Sequence, residues 1–222
     1  MKNPYAVDSD KMFTYLRAYL KGANMTESLR ALVYAREKHS GQTRKDGTPY
    51  ISHPLAMACY AAALGIRDDD TMSIILLHDV CEDCGISFDE LPFNNRVRVG
   101  VRHVTITKFD TDRTKDETKR RYYSELIYDS KALITKGIDK YMNLSDMVFA
   151  LSDDAIGKNT AESDILLLPV LKEAKQKYCD LSDTIHIIRT NIKSLCGIYR
   201  VHYEKEYNNW VGIFTGAQVN NT

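Results

Sequence analysis

Net charge, long apolar runs and a paired set of cysteines are all missing from this 222-residue sequence. Thirty Lys and Arg offset thirty Asp and Glu, which argues against a generic nucleic-acid or membrane-surface binder, since both carry a basic excess. A local basic cluster serving a small anionic ligand is still compatible with that balance. No apolar run, at the N-terminus or elsewhere, is long enough for a signal peptide or a membrane span. The five scattered cysteines are an odd number and make no disulfide framework. Internal repeats and low-complexity tracts are lacking as well. The expectation is a reduced, cytoplasmic protein with no nucleic-acid or membrane partner. A hydrophobic content of 44% is enough to build a core, and the length suits one medium domain, with or without a terminal lobe.

What is there is helical signal after helical signal. Residues 8–21 form a first predicted helix, ended by Gly22. Thr26 is a suitable N-cap for a second, with Leu29, Leu32, Val33 and Arg36 at helical spacing. The stretch GQTRKDGTPYIS contains Asp46-Gly47 and reads as a loop. Pro54 suits the first turn of a third helix that stops at Gly65, and the acidic residues 68–70 open a fourth that runs into His78. Helices are expected over 113–129 and 132–151, then a polar break over 152–164, then helices over 164–178 and 181–206. The tail from residue 208 reads as irregular. One short run, VRHVTIT at 101–107, looks like a strand. The fold class is all-α, with a small β-hairpin near 100–112. The expected layout is an N-terminal helix (1–24), a core (25–155), packing helices of the same domain (156–206) and a tail (207–222).

Residues 76–84, LLHDVCEDC, admit two readings. Cys81 and Cys84 have the CxxC spacing of a redox dithiol or half a zinc knuckle. The other reading rests on the charged groups. His78 and Glu82 are four apart, as are Asp79 and Asp83, so all four can gather at one end of a helix. Buried after an apolar run, such a cluster is costly unless it pairs or binds a cation. The bland alternative is that His78 and Asp79 merely end a helix while Glu82 and Asp83 face solvent. His53, held extended by Pro54, and Asp139, four residues before Asn143 in an apolar helix, supply further candidates. A mixed N/O set of this kind suits Mn²⁺ or another octahedral first-row ion better than a closed zinc site.

KHSGQTRKDGTPYISHPLAMA, LLHDVCED, VTITK and GIDKYMN, in that order, resemble the hydrolase domain of the RelA/SpoT family over roughly residues 25–150. These are HD-superfamily helical bundles that remove the 3′-pyrophosphate from (p)ppGpp. The resemblance implies a stand-alone small alarmone hydrolase acting on a small-molecule nucleotide, with Mn²⁺ held by His53, His78, Asp79 and Asp139. It implies Glu82 and Asp83 as the catalytic carboxylates, Arg44 and Lys45 near the base and sugar, and Asn143 near the ribose. Thr107 and Lys108 match a segment beside the pocket, and Tyr50 is the first candidate for stacking on guanine. Two departures stand out. The family reads close to KLADRLHNMR where this chain has KGIDKYMNLSD, so Ser145 replaces an Arg and Asp146 follows it. Cys81 and Cys84 stand where members carry Thr or a small residue.

Other readings stay open: the same site acting on another ribose-phosphate nucleotide such as NADPH, or a non-catalytic alarmone sensor. A redox or zinc protein built on Cys81 and Cys84 is weaker, because no second CxxC accompanies them. His39 reads as structural, Lys119-Arg120-Arg121 as a solvated helix face, and Arg189 or Arg200 as residues that could reach the pocket. Whether the chain forms a homo-oligomer is open too.

Overall fold

The apolar stripes resolve into helices packed on one another in the computed structural model, which describes residues 8–106 and 114–216. Among those residues the helices are α1 (Ser9–Gly22), α2 (Thr26–Lys38), α3 (Ser52–Ala63), α4 (Asp69–Leu77), α5 (Val80–Cys84), α6 (Asn95–Val104), α7 (Lys115–Glu125), α8 (Ser130–Asp146), α9 (Asp153–Glu162), α10 (Leu168–Lys177), α11 (Ser182–His202) and α12 (Glu204–Thr215). No strand occurs among them, and one isolated bridge between Thr43 and Pro49 closes the loop before α3. The all-α reading is therefore correct. No helix among the described residues is long and apolar enough to cross a membrane.

α4 is the axis of the core. Every residue from Thr71 to Leu77 is buried, and α2, α3, α6 and α8 pack around it. Asp68 caps α4, accepting the Thr71 N–H at 2.7 Å. The next residue, Asp69, serves a different helix: its carboxylate accepts the N–H groups of Glu27 and Ser28 at 3.0 and 2.7 Å. Thr26 is thus not the N-cap of α2 but its first helical residue, and the orphan donors at that end are met from α4.

Four further expectations need correction. Val101–Val104 belong to α6 rather than a hairpin, because Val97, Gly100, Val101 and Val104 bury one helical face and Asn94 caps the first turn; residues 107–112 of the expected hairpin lie outside the described residues. His53 is helical, not extended, lying in the first turn of α3 ahead of Pro54. The polar stretch after Leu151 is helix α9, capped by Ser152 and burying Ile156, Gly157, Thr160 and Ala161. The tail is helical to Thr215, with Phe214 buried.

Glycine makes the α9–α12 contact. A Cβ on Gly157 would lie 2.7 Å from the Glu206 carbonyl carbon and 2.8 Å from the Tyr207 nitrogen. Beneath this pair, α7, α8 and α9 meet at the buried Glu162, whose Oε1 accepts from Lys140 Nζ at 2.8 Å and Tyr123 Oη at 2.7 Å. Lys119 completes the pairing on Oε2. Lys119 is therefore part of an interior network, not of a solvated face.

Candidate metal centre

The helical run of α4 stops at Leu77 and restarts at Val80, leaving His78 and Asp79 at the joint. His78 Nδ1 donates to the Ile75 carbonyl at 2.9 Å. A carbonyl only accepts, so Nε2 is the ring atom presented to the site, the arrangement metal-ligating histidines adopt. It lies 2.9 Å from Asp79 Oδ2 and 3.9 Å from Asp139 Oδ1. From α3, His53 Nε2 approaches the same Asp139 Oδ1 at 3.2 Å. Ligand atoms of His53, His78 and Asp139 all fall within 4.8 Å of one another, and all three residues are buried.

Charge tests whether a cation fits. Burial disfavours an imidazolium at His78, but Asp79 and Asp139 outweigh it and push its pKa up to about 9. At His53 burial, helped by the neighbouring His78 and Arg44, outweighs Asp139 and lowers the pKa. Burial also opposes ionisation of Asp139, yet Lys136 and the two imidazoles hold its pKa well below the usual carboxylate range. His78 Nε2 is buried and meets Asp79 only as an ion-pair contact without hydrogen-bond geometry, and His53 Nδ1, the ring nitrogen that does not face Asp139, is buried and unbonded. Two imidazoles and a carboxylate converging there, with a second carboxylate beside them, form a donor set suited to a divalent cation.

The centre opens into a cleft of about 460 Å³. The loop between α2 and α3 forms one wall and carries Arg44, Lys45 and Asp46. It is braced by the Arg44 N–H to the Thr48 carbonyl at 2.8 Å and by Asp46, which accepts from Thr48 N–H and Oγ1 at 3.0 and 2.6 Å. α5 contributes Glu82 and Asp83, both exposed. α8 contributes Lys136, Asp139, Asn143 and Asp146. Six carboxylates in this lining (Asp46, Asp79, Glu82, Asp83, Asp139, Asp146) face three cations (Arg44, Lys45, Lys136). An anionic ligand would meet repulsion there unless a bound cation offset it.

Of the residues expected at the site, His53, His78 and Asp139 cluster as described. Asp79 adjoins the cluster without joining the mutual set, its Oδ2 accepting from Tyr50 Oη at 2.5 Å. Its pKa is lowered because His78 outweighs its burial. Asn143 Nδ2 donates to Asp139 Oδ1 at 2.6 Å. Arg44 Nη1 pairs with Asp146 Oδ2 at 3.0 Å, so the residue that departs from the family pattern touches a residue expected to meet substrate. Tyr50 has one ring face stacked on His39, with centroids 4.7 Å apart. Thr107 and Lys108 lie outside the described residues.

Sequence reasoning passed over Lys136, whose Nζ lies 2.9 Å from Asp139 Oδ2. The signal was available, since it sits three residues before Asp139 on the same helical face. Arg189 and Arg200 do not reach the cleft; they border a separate depression with Asp164 and Lys172. Cys81 and Cys84 are free thiols outside the cleft lining. Burial pushes the Cys81 pKa up to about 11 and raises that of Cys84, which suits neither thiolate chemistry nor metal binding.

Residues 31–105 match the HD domain family. The chain is 26% identical over 220 residues to the guanosine-3′,5′-bis(diphosphate) 3′-pyrophosphohydrolase of Vibrio cholerae, covering 89% of this chain and 31% of that one. It is 36% identical over 124 residues to the protein of the same name from Aquifex aeolicus, covering 54% and 18%. To the bifunctional (p)ppGpp synthase/hydrolase SpoT of Escherichia coli K12 it is 31% identical over 135 residues, covering 58% and 19%. The chain thus spans less than a third of the length of these curated relatives. The HD match and the names of these relatives agree with the motif order read from the sequence and support a RelA/SpoT-family HD hydrolase domain within this chain.

Proposed function

We propose that the protein is a Mn²⁺-dependent hydrolase that removes the 3′-pyrophosphate of (p)ppGpp, yielding GDP or GTP and pyrophosphate. The observation that carries this reading is the buried His53–His78–Asp139 cluster opening onto a cleft that holds both a carboxylate pair and basic residues. His53, His78, Asp79 and Asp139 would hold the ion. Bound Mn²⁺ supplies a water of lowered pKa and polarises a phosphoryl oxygen.

The remaining work falls to the chain's own side chains. Glu82 and Asp83, exposed on α5 beside the cluster, take the proton from the attacking water and return one to the leaving 3′-oxygen. Arg44 and Lys45 receive the anionic nucleotide from the opposite wall. Lys136 and Asn143 both bond Asp139, at 2.9 and 2.6 Å, and fix the orientation of its carboxylate. A substrate of this kind belongs in the cytoplasm.

Purified protein supplied with Mn²⁺ should release pyrophosphate from ppGpp, and Asp79→Ala should abolish the release. Intact ppGpp after prolonged incubation with wild-type protein would sink the proposal, and tight ppGpp binding without turnover would favour a sensor instead. The Arg44–Asp146 pair supports a second reading, in which the same centre acts on a ribose phosphate such as that of NADPH. Comparison of kcat/KM for ppGpp and NADPH separates the two.

A further inference from the structure

Tyr50 is built into the centre in a way that a base-stacking residue has no need of. Its hydroxyl donates to Asp79 Oδ2 at 2.5 Å, joining residues 29 apart in the chain. Behind it, the ring lies on the imidazole of His39 with planes 27° apart. His39 is itself 2% exposed, with Nδ1 2.7 Å from Gln42 Oε1. The backbone is pinned as well: the Tyr50 N–H donates to the Gln42 carbonyl at 2.9 Å, and the Tyr50 carbonyl accepts the His53 N–H at 3.0 Å. One residue is thus tied by its main chain to the turn that presents His53 and by its side chain to Asp79. Asp79 stands at the edge of the three-residue cluster, so its rotamer decides whether its carboxylate can take part.

We infer that Tyr50 is a positioning residue of the metal centre: its hydroxyl holds Asp79 so that this carboxylate shares a divalent cation with His53, His78 and Asp139. The inference rests on the metal-dependent reading above and reassigns Tyr50 from the nucleotide to the ion. A phenol suits the task, because it donates a single hydrogen bond to Asp79 Oδ2, the oxygen that also lies 2.9 Å from His78 Nε2, and an ionised carboxylate oxygen keeps a further lone pair for the cation. Its ring has few rotatable bonds, and packing on His39 removes most of the remaining freedom. Partners of metal ligands in such positions typically change metal affinity 10–100-fold when removed.

The test compares Tyr50→Phe, which keeps the stacked ring and loses only the hydroxyl, with Tyr50→Leu, which loses both. Mn²⁺ affinity is measured by calorimetry and by the EPR signal of free ion, alongside the melting temperature without metal. Tyr50→Phe should bind Mn²⁺ about 10–100-fold more weakly while melting like the wild type without metal. Its turnover should recover as Mn²⁺ is raised, with KM for ppGpp close to the wild-type value. Unchanged or tighter Mn²⁺ binding by Tyr50→Phe overturns the inference, the tighter case meaning that the phenol competes with the ion. Loss confined to Tyr50→Leu also overturns it, in favour of ring packing, as does a raised KM at unchanged Mn²⁺ affinity, in favour of nucleotide contact. A wild type that takes up no Mn²⁺ brings down this inference and the metal reading together. A wild type that binds Mn²⁺ but leaves ppGpp intact removes only the substrate, and the affinity comparison still decides the role of Tyr50.

Discussion

Glu162→Gln should be among the most damaging isosteric substitutions in the described chain. Glu162 is 5% exposed and is the shared acceptor for Lys119, Lys140 and Tyr123, so α9, α7 and α8 converge on one carboxylate. An amide of the same shape keeps the packing but leaves two ammonium groups beside a neutral partner. Removing one member of a buried pair typically costs about 3–5 kcal/mol. The side chain of Lys140 is only 7% exposed and cannot escape, whereas that of Lys119 is 19% exposed and can turn partly outward. The cost therefore belongs at the lower end, about 3 kcal/mol. For a chain of this length that corresponds to about 6–12 °C in melting temperature. Denaturant titration of both proteins at pH 7 measures it directly. The pH dependence follows from the sign of the pKa change. Burial would raise the pKa of Glu162, but Lys140 and Lys119 outweigh it and lower it from 4.5. Its stabilisation is therefore fully present above 4.5 and is lost as pH falls from there through the lower folded value. The gap between wild type and variant should be constant from pH 7 to about 5.5 and narrow below about 4.5. Adding Lys140→Met to Glu162→Gln should recover part of the loss by removing the stranded cation. A Glu162→Gln variant within about 0.5 kcal/mol of wild type, the usual range for a surface change, would refute the reasoning.

Three other substitutions probe separate parts of the molecule. Asp146→Asn takes Arg44 out of a partly exposed pair worth roughly 1 kcal/mol; KM for ppGpp should fall about five-fold by that figure, and an unchanged or higher KM would show that the pair does not restrain Arg44. Gly157→Ala sets a Cβ against the Glu206 and Tyr207 main chain at 2.7 and 2.8 Å, where backbone must give way. It should cost about 1–3 kcal/mol and alter the fluorescence of Trp210, whose Nε1 bonds Asp154 Oδ1 across the same contact at 2.9 Å; native-like stability and emission would contradict the close approach. Cys81→Ser with Cys84→Ser should leave metal content and turnover largely intact, since both thiols lie outside the cleft lining, and a loss of bound metal would return the CxxC reading to contention.

The candidate metal centre was legible where its residues were locally out of place. His78 and Asp79 directly follow four buried aliphatic residues, an unusual place for two ionisable groups, and Asp139 is as anomalous between Ile138 and the half-buried Tyr141. Lys136 escaped notice because a lysine on a helix is ordinary until docking buries it against Asp139. VRHVTIT misled because a seven-residue window favours its β-branched residues. The longer period through Val97, Gly100, Val101 and Val104, opened by the Asn94 cap, is helical. α9 and α12 looked too polar to fold because each supplies only a narrow face, closed by the other and permitted by Gly157.

Asp69 shows the physical limit most directly. Three consecutive aspartates before an apolar run read as one cap, and by local logic any of them could have served α4. Asp68 does so through Thr71. Asp69 instead satisfies two backbone donors 41 and 42 residues away, at the start of α2, and Ser28 Oγ returns a hydrogen bond to the Asp69 carbonyl at 2.7 Å. Nothing in either segment alone distinguishes the three acids, since the choice exists only once α2 and α4 lie side by side. Tyr50 and His39 obey the same rule at shorter range: the sequence offers Tyr50 to a nucleotide base and reads His39 as structural, and their stacking on each other sets the direction of a hydroxyl only after the loop between them has closed on the Thr43–Pro49 bridge. Groups whose partner is distant are therefore the ones that sequence alone leaves without a role, and in this chain they brace the residues that sequence does pick out.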